Sequence, residues 1–264
     1  MTNVLEQIIK DKKESLISIK KNNSLDSIEK KIKELNCFLN FKQTVEENQG
    51  VSLIAEIKKA SPSAGILVKD FNHLDIAKMY IDNGATCLSV LTEEKYFLGK
   101  SDFISDIKNK YQIPILAKDF FIDPYQVSLS KSYGCDCILI IIAALSESQA
   151  DEIYSEAIKK GLSVIVEVHS SEEAAQALKY EEAIIGVNNR NLKTLDVSIE
   201  NTLNIYKTIQ YHQGLIFSES GIKDATDAQY IYDKTGIKNF LIGESLLVSG
   251  KTKKLIKEIL SINL

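Results

Sequence analysis

Eight short apolar runs, spaced from residue 51 to the end of the chain, limit the possible folds more than any other feature. They are Leu53–Ile57, Cys87–Leu91, Ile115–Ala117, Cys137–Ile142, Ser163–Val168, Ile184–Val187, Leu215–Phe217 and Phe240–Ile242. Each is too short for a helix and almost unbroken in apolar character, the pattern of strands buried on both faces. The stretches between them carry helical signals, as at Leu74–Ile81, Glu147–Lys159, Ser171–Leu178 and Asp224–Tyr232. Gly84, Gly134, Gly161 and Gly236 each follow a helical stretch and precede a strand, where a helix stop is expected. Strand–helix alternation of this kind calls for right-handed crossovers and a parallel sheet. Eight repeats in about 200 residues favour a closed (β/α)8 TIM barrel over an open doubly wound sheet. No G-x-G-x-x-G follows the first run, which weakens a dinucleotide-binding alternative.

The reading is one domain over 1–264, with a helical extension at 1–48 and the barrel at 51–264. Val4, Leu5, Ile8 and Ile9 form an early amphipathic turn. Ile28, Ile32, Leu35 and Leu39 recur at helical steps and predict one helix face. Asn22–Ser24 reads as the break between two helices. The net charge of -4 argues against nucleic acid as a partner, because a phosphate-backbone binder needs a basic face. The longest apolar run, Cys137–Leu145, is far below the roughly 20 residues that span a bilayer, and Met1–Lys13 has no signal-peptide core. A cytoplasmic enzyme with no membrane partner is expected. Oligomeric state stays open, with a monomer as the expected form. Cys37, Cys87, Cys135 and Cys137 lack the further Cys or His ligands that zinc needs, so they read as small packing residues and no metal site is expected.

In such a barrel the chemistry sits at the C-terminal ends of the strands and in the loops that follow. Glu56 and Lys58 alternate with Ala55 and Ile57, so both charges are expected to point into the mouth. Lys118 follows the third run directly, and partial burial there would lower its pKa. Glu167 lies inside the fifth apolar run, where a carboxylate must be paired or functional. His169, at the exit of the same strand, reads more readily as a hydrogen-bonded structural residue than as a base. Arg190 is the chain's single arginine among its lysines, and its position in Asn188-Asn189-Arg190-Asn191 suggests that its planar fork is needed there. Gly221 and Gly243 follow the seventh and eighth strands, where barrels commonly hold a phosphate. Thr92–Gly99, after the second strand, reads as a lid, a site wall or a plain solvated loop.

These segments together resemble a known family. The stretches AEIKKASPSAG (Ala55–Gly65), LTEEKYFLG (Leu91–Gly99), LAKDFF (Leu116–Phe121), VEVH (Val166–His169), VNNRNL (Val187–Leu192), SESGI (Ser218–Ile222) and IGESL (Ile242–Leu246) resemble indole-3-glycerol phosphate synthase, in order and over residues 4 to 262. The resemblance implies ring closure, decarboxylation and dehydration of 1-(2-carboxyphenylamino)-1-deoxyribulose 5-phosphate, with no cofactor or metal. It implies Lys118 as the general acid of ring closure and Lys58 as a contact to the anionic substrate. Glu167 and Glu56 would handle protons in the dehydration, and Asn188 and Ser220 would orient the substrate. Arg190 would lie near the substrate carboxylate. Ser61, Gly221, Gly243, Glu244 and Ser245 would cradle the phosphate, with Glu244 contributing only its N–H. Phe97, Phe120, Leu139 and Leu192 would line an apolar slot for the aromatic ring. Two positions depart from the family pattern, which often has Arg where Lys59 stands and Lys where Ala64 stands.

Three other readings compete: a class I aldolase with Lys118 as Schiff-base amine, the isomerase of the same pathway, and a phosphosugar-binding regulator without activity. The LAKDFF and VEVH segments favour the synthase over the isomerase. The intact set of charged strand ends disfavours the regulator.

Overall fold

Parallel neighbours cannot be joined by tight turns, so each apolar run must be followed by a crossover before the next. In the computed structural model, which describes residues 4–192 and 194–264, the eight runs close on themselves. The strands are β1 (Ser52–Ile57), β2 (Cys87–Leu91), β3 (Ile115–Lys118), β4 (Cys137–Ile141), β5 (Ser163–Val168), β6 (Ile184–Asn188), β7 (Ile216–Glu219) and β8 (Asn239–Ile242). All pair in parallel with their chain neighbours, and β8 returns to β1 with Ser52 opposite Asn239. Gly84, Gly134, Gly161 and Gly236 all have left-handed backbones, with φ of 97°, 97°, 68° and 73°, as a helix stop requires.

Alternation along the strands sorts side chains into two apolar layers. Ala55 and Ile57 face outward and pack with the surrounding helices. Ile54, Leu116, Leu139, Ile165, Phe217 and Leu241 fill the barrel interior. Each such buried Leu, Ile or Phe contributes roughly 1.5–3 kcal/mol.

The extension forms three helices, α1 (Val4–Asn22), α2 (Leu25–Glu34) and α3 (Phe41–Glu47); residues 1–3 of the expected extension lie outside the described residues. The Ser24 side chain caps α2, accepting from the Ser27 N–H, so the expected break falls where the sequence put it. The single helix face through Leu39 does not form. Helix α2 ends at Glu34, and Leu35 is extended with φ -89° and ψ 137°. The cause is remote in sequence: the Leu39 N–H donates to the Asp136 carboxylate at 2.6 Å, which also accepts from the Ile115 N–H and the Lys108 ammonium, each at 2.8 Å. Helix α3 then plugs the barrel's N-terminal end. Phe41 and Val45 join the interior layer, and the Lys42 N–H donates to the hydroxyl of Ser163, the first residue of β5.

Candidate active site

The opposite end of the barrel is open. There the strands carry polar residues whose side chains alternate inward: Glu56 on β1, Lys118 on β3, Glu167 on β5, Asn188 on β6 and Glu219 on β7. They surround a cavity of about 480 Å³. Every residue expected at the mouth borders it: Glu56, Lys58, Ser61, Phe97, Lys118, Phe120, Leu139, Glu167, Asn188, Arg190, Leu192, Ser220, Gly221, Gly243, Glu244 and Ser245. His169 does not.

Lys118 Nζ is the centre of the arrangement. It lies 2.8 Å from Glu219 Oε2, 3.6 Å from Glu167 Oε2 and 3.7 Å from Glu56 Oε2. Lys58 pairs with the other oxygen of Glu56 at 2.6 Å. Burial disfavours the Lys118 charge, but Glu219, Glu167 and Glu56 outweigh it and push its pKa above the ordinary lysine value. This corrects the lowered pKa expected from burial alone. The carboxylates come from β1, β5 and β7, and nothing in the local sequence around Lys118 foretells them.

The three carboxyls are not equivalent. Burial opposes ionisation of Glu56, yet Lys58 and Lys118 hold it below the usual carboxylate range. Burial opposes ionisation of Glu167 as well, and Lys118 and His169 prevail there. Glu219 is fully buried. Burial raises its pKa, Lys118 only partly offsets that, and Glu167 adds repulsion, so its carboxyl is held above the usual range. One mouth therefore offers carboxylates poised as bases, a carboxyl that takes a proton more readily, and a persistent ammonium.

Two glycines are explained by these carboxylates. A Cβ on Gly186 would lie 2.1 Å from Glu219 Oε1, and one on Gly243 would lie 2.3 Å from Glu56 Oε1. Gly243, with φ -126°, is not left-handed, and the Glu56 carboxylate occupies the space that its Cβ would take. At the end of β7 backbone conformation adds to space, since a Cβ on Gly221 would lie 2.6 Å from Val197 Cγ1. Ser220 and Gly221 are consecutive left-handed residues, with φ of 64° and 79°.

Arg190 links three loops at the rim. Its guanidinium donates to Glu244 Oε2 at 3.2 Å, to the Leu195 carbonyl at 3.3 Å and to Ser63 Oγ at 3.4 Å. Glu244, expected to offer only its backbone, thus also supplies a carboxylate to Arg190. Ser245 Oγ donates to the Ile222 carbonyl at 2.7 Å, tying the β8 loop to the β7 loop. Phe97 and Phe120 tilt against each other, 6.3 Å between ring centres, on the apolar side that Leu139 and Leu192 also border.

Several residues of the site escaped the sequence reading. Glu219 reads as one polar residue among several in SESG; the available signal was its inward position one residue after Ser218 at the end of β7. Glu93 organises the loop after β2, accepting the N–H groups of Lys95, Tyr96 and Phe97 at 3.0, 2.7 and 3.0 Å, so that loop is a built wall. Val4, Leu5 and Ile8 of α1 border the cavity too. Their amphipathic spacing was visible, but not what they face. Asp119 fixes α1 in place, pairing with Lys12 at 2.6 Å while accepting from Thr92 Oγ1 at 2.8 Å. Among the described residues no group of three or more His, Cys, Asp or Glu side chains is arranged to hold a metal ion. The cation between the carboxylates is the chain's own ammonium.

Comparison with known proteins bears on what this mouth does. The sequence pattern of indole-3-glycerol phosphate synthase matches residues 5–259. The chain belongs to that family. An indole-3-glycerol phosphate synthase from Azospirillum brasilense is 41% identical over 264 residues, covering 97% of this chain and 100% of its own. One from Lachnoclostridium phytofermentans is 40% identical, covering 84% and 81%. Among solved structures, 3-hexulose-6-phosphate synthase aligns with a TM-score of 0.61 at 13% identity, over 80% of this chain and 100% of that one. Phosphoribosylanthranilate isomerase from Thermotoga maritima aligns at 0.54 and 13%, over 79% and 96%. At such identity these two speak for the shared barrel alone. As a member of the indole-3-glycerol phosphate synthase family, the chain is a carboxy-lyase of tryptophan biosynthesis acting on a small phosphorylated substrate.

Proposed function

We propose that the family reaction, conversion of 1-(2-carboxyphenylamino)-1-deoxy-D-ribulose 5-phosphate to indole-3-glycerol phosphate, is divided among these residues as follows. The observation that carries the assignment is the Lys118 ammonium, held charged by three carboxylates beside an apolar slot. As the ring carbon bearing the carboxylate attacks the ribulose carbonyl, charge develops on oxygen, and Lys118 delivers the proton. Carbon dioxide leaves and the ring regains aromaticity. In the dehydration, Glu167 and Glu56 accept protons, and the departing hydroxyl leaves as water with a proton from an acid of the same cluster. The raised carboxyl of Glu219 adds a further proton store.

Phe97, Phe120, Leu139 and Leu192 hold the aromatic ring, and Asn188 and Ser220 orient the sugar chain. Lys58 and Arg190 face the anionic groups, Arg190 the carboxylate. Ser61, Gly221, Gly243, Glu244 and Ser245 form the phosphate end. An amine kept protonated is a poor nucleophile, which speaks against the aldolase reading. The remaining expectations, a monomer acting in the cytoplasm, call for sedimentation of the 29.5 kDa chain and for cell fractionation.

The test is turnover. Purified protein with authentic substrate should generate indole fluorescence and one carbon dioxide per product without added metal, and borohydride should trap no adduct. A trapped Lys118 adduct would overturn the acid role.

A further inference from the structure

Glu167 has a neighbour that the assignment above leaves idle. His169 Nε2 lies 3.1 Å from Glu167 Oε1, at ion-pair distance though off the line of a hydrogen bond. Its other ring nitrogen, Nδ1, lies 3.3 Å from Glu173 Oε2, which also accepts the His169 backbone N–H at 2.7 Å. Glu173 is itself anchored in the first turn of the helix Ser171–Ala177, where its N–H donates to Ser170 Oγ at 3.2 Å. From the helix Glu200–Ile209 the neutral amide of Asn201 donates to the His169 carbonyl at 3.3 Å. Lys118, from β3, reaches Glu167 on its opposite oxygen. Among the described residues, the imidazole thus pairs with a carboxylate at each nitrogen.

An imidazole between two carboxylates retains both protons. Burial opposes the charge, but Glu167 and Glu173 outweigh it and push the His169 pKa up to about 9. Such a group adds positive charge where it is short: apart from His169, the carboxyls of Glu56, Glu167 and Glu219 pair with Lys58 and Lys118.

We propose that His169 is the positioning residue of Glu167, an imidazolium braced by Glu173 that pins one carboxylate oxygen and leaves Oε2 turned to Lys118. Oε2 is buried without a hydrogen-bond partner among the described residues and lies 3.6 Å from Lys118 Nζ, so it is the oxygen left free to exchange a proton on the Lys118 side. The inference rests on the proton-handling role given to Glu167. It also removes His169 from consideration as the base, because a residue holding both protons accepts none.

The experiment combines an imidazole titration with a rate profile. The chain has three histidines, His73, His169 and His212, so each ring C–H resonance is assigned by single substitution. In the intact enzyme the His169 resonance should titrate with a midpoint of about 9. Glu173→Gln should lower that midpoint by about one pH unit or more and shift the alkaline limb of kcat by the same amount. His169→Gln should lower kcat by up to about a hundredfold with little change in KM. A His169 midpoint at its ordinary value overturns the proposal. So does a Glu173→Gln enzyme whose imidazole midpoint moves while its kcat profile stays in place. The titration needs no turnover, so a failed activity assignment and a failed clamp give separate results.

Discussion

Replacing Gly243 by alanine separates two reasons for a glycine at the end of β8. The new methyl would sit 2.3 Å from Glu56 Oε1 and 3.0 Å from both the Cβ and Cδ of Glu56, where ordinary contact begins at 3.4 Å. The carboxylate must therefore move by about 1.1 Å, and it is not a free end: Lys58 holds it at 2.6 Å and Lys118 stands 3.7 Å away. A displacement of about 1 Å in a catalytic array can cost on the order of 100-fold, or about 2.7 kcal/mol of barrier. The overpacking itself should cost about 1–3 kcal/mol of stability. Steady-state indole fluorescence reads the first effect, and urea denaturation reads the second. The expected outcome is a fall in kcat with KM changed little. If KM rises and kcat is kept, the glycine serves only the phosphate end, and the argument from Glu56 is wrong.

Other outcomes follow from the same geometry. Lys118→Met should abolish turnover and leave three buried carboxylates without their shared cation, costing about 3–5 kcal/mol at pH 8. Without the ammonium, burial raises the folded carboxyl pKa values above their ordinary 4.5, so the deficit should shrink as the pH falls from 8 to 5; urea melts giving a deficit that ignores pH would contradict this. Asp136→Ala should cost about 3–5 kcal/mol, because Lys108 is left buried and unpaired at the closed end, while kcat is kept; a variant as stable as the parent would refute that role. Ile8→Ala should raise KM several-fold and cost about 2–4 kcal/mol, since Ile8 is buried in α1 yet borders the cavity; an unchanged KM would remove α1 from the substrate wall.

Strand positions were legible because burial on both faces leaves a continuous apolar run. Their ends were less so. β3, β6 and β7 run on into Lys118, Asn188 and Glu219, where the strand stays regular but its inward side chains meet the cavity and turn polar. The same transition marks the site, which is why the strand-exit charges could be picked out. What the sequence could not convey was long-range electrostatics. The raised pKa of Lys118 depends on Glu219, 101 residues away, and the end of α2 is followed by a segment fixed through Asp136, 97 residues from Leu39. Local propensity contains neither partner.

The extension touches both ends of the barrel: α3 stoppers the closed end, while α1 leans over the open one. A passenger domain fused ahead of Val4 would therefore hang at the doorway used by substrate. The opposite terminus is a safer attachment point, because the last helix packs Leu260 against Gly84, below the start of β2.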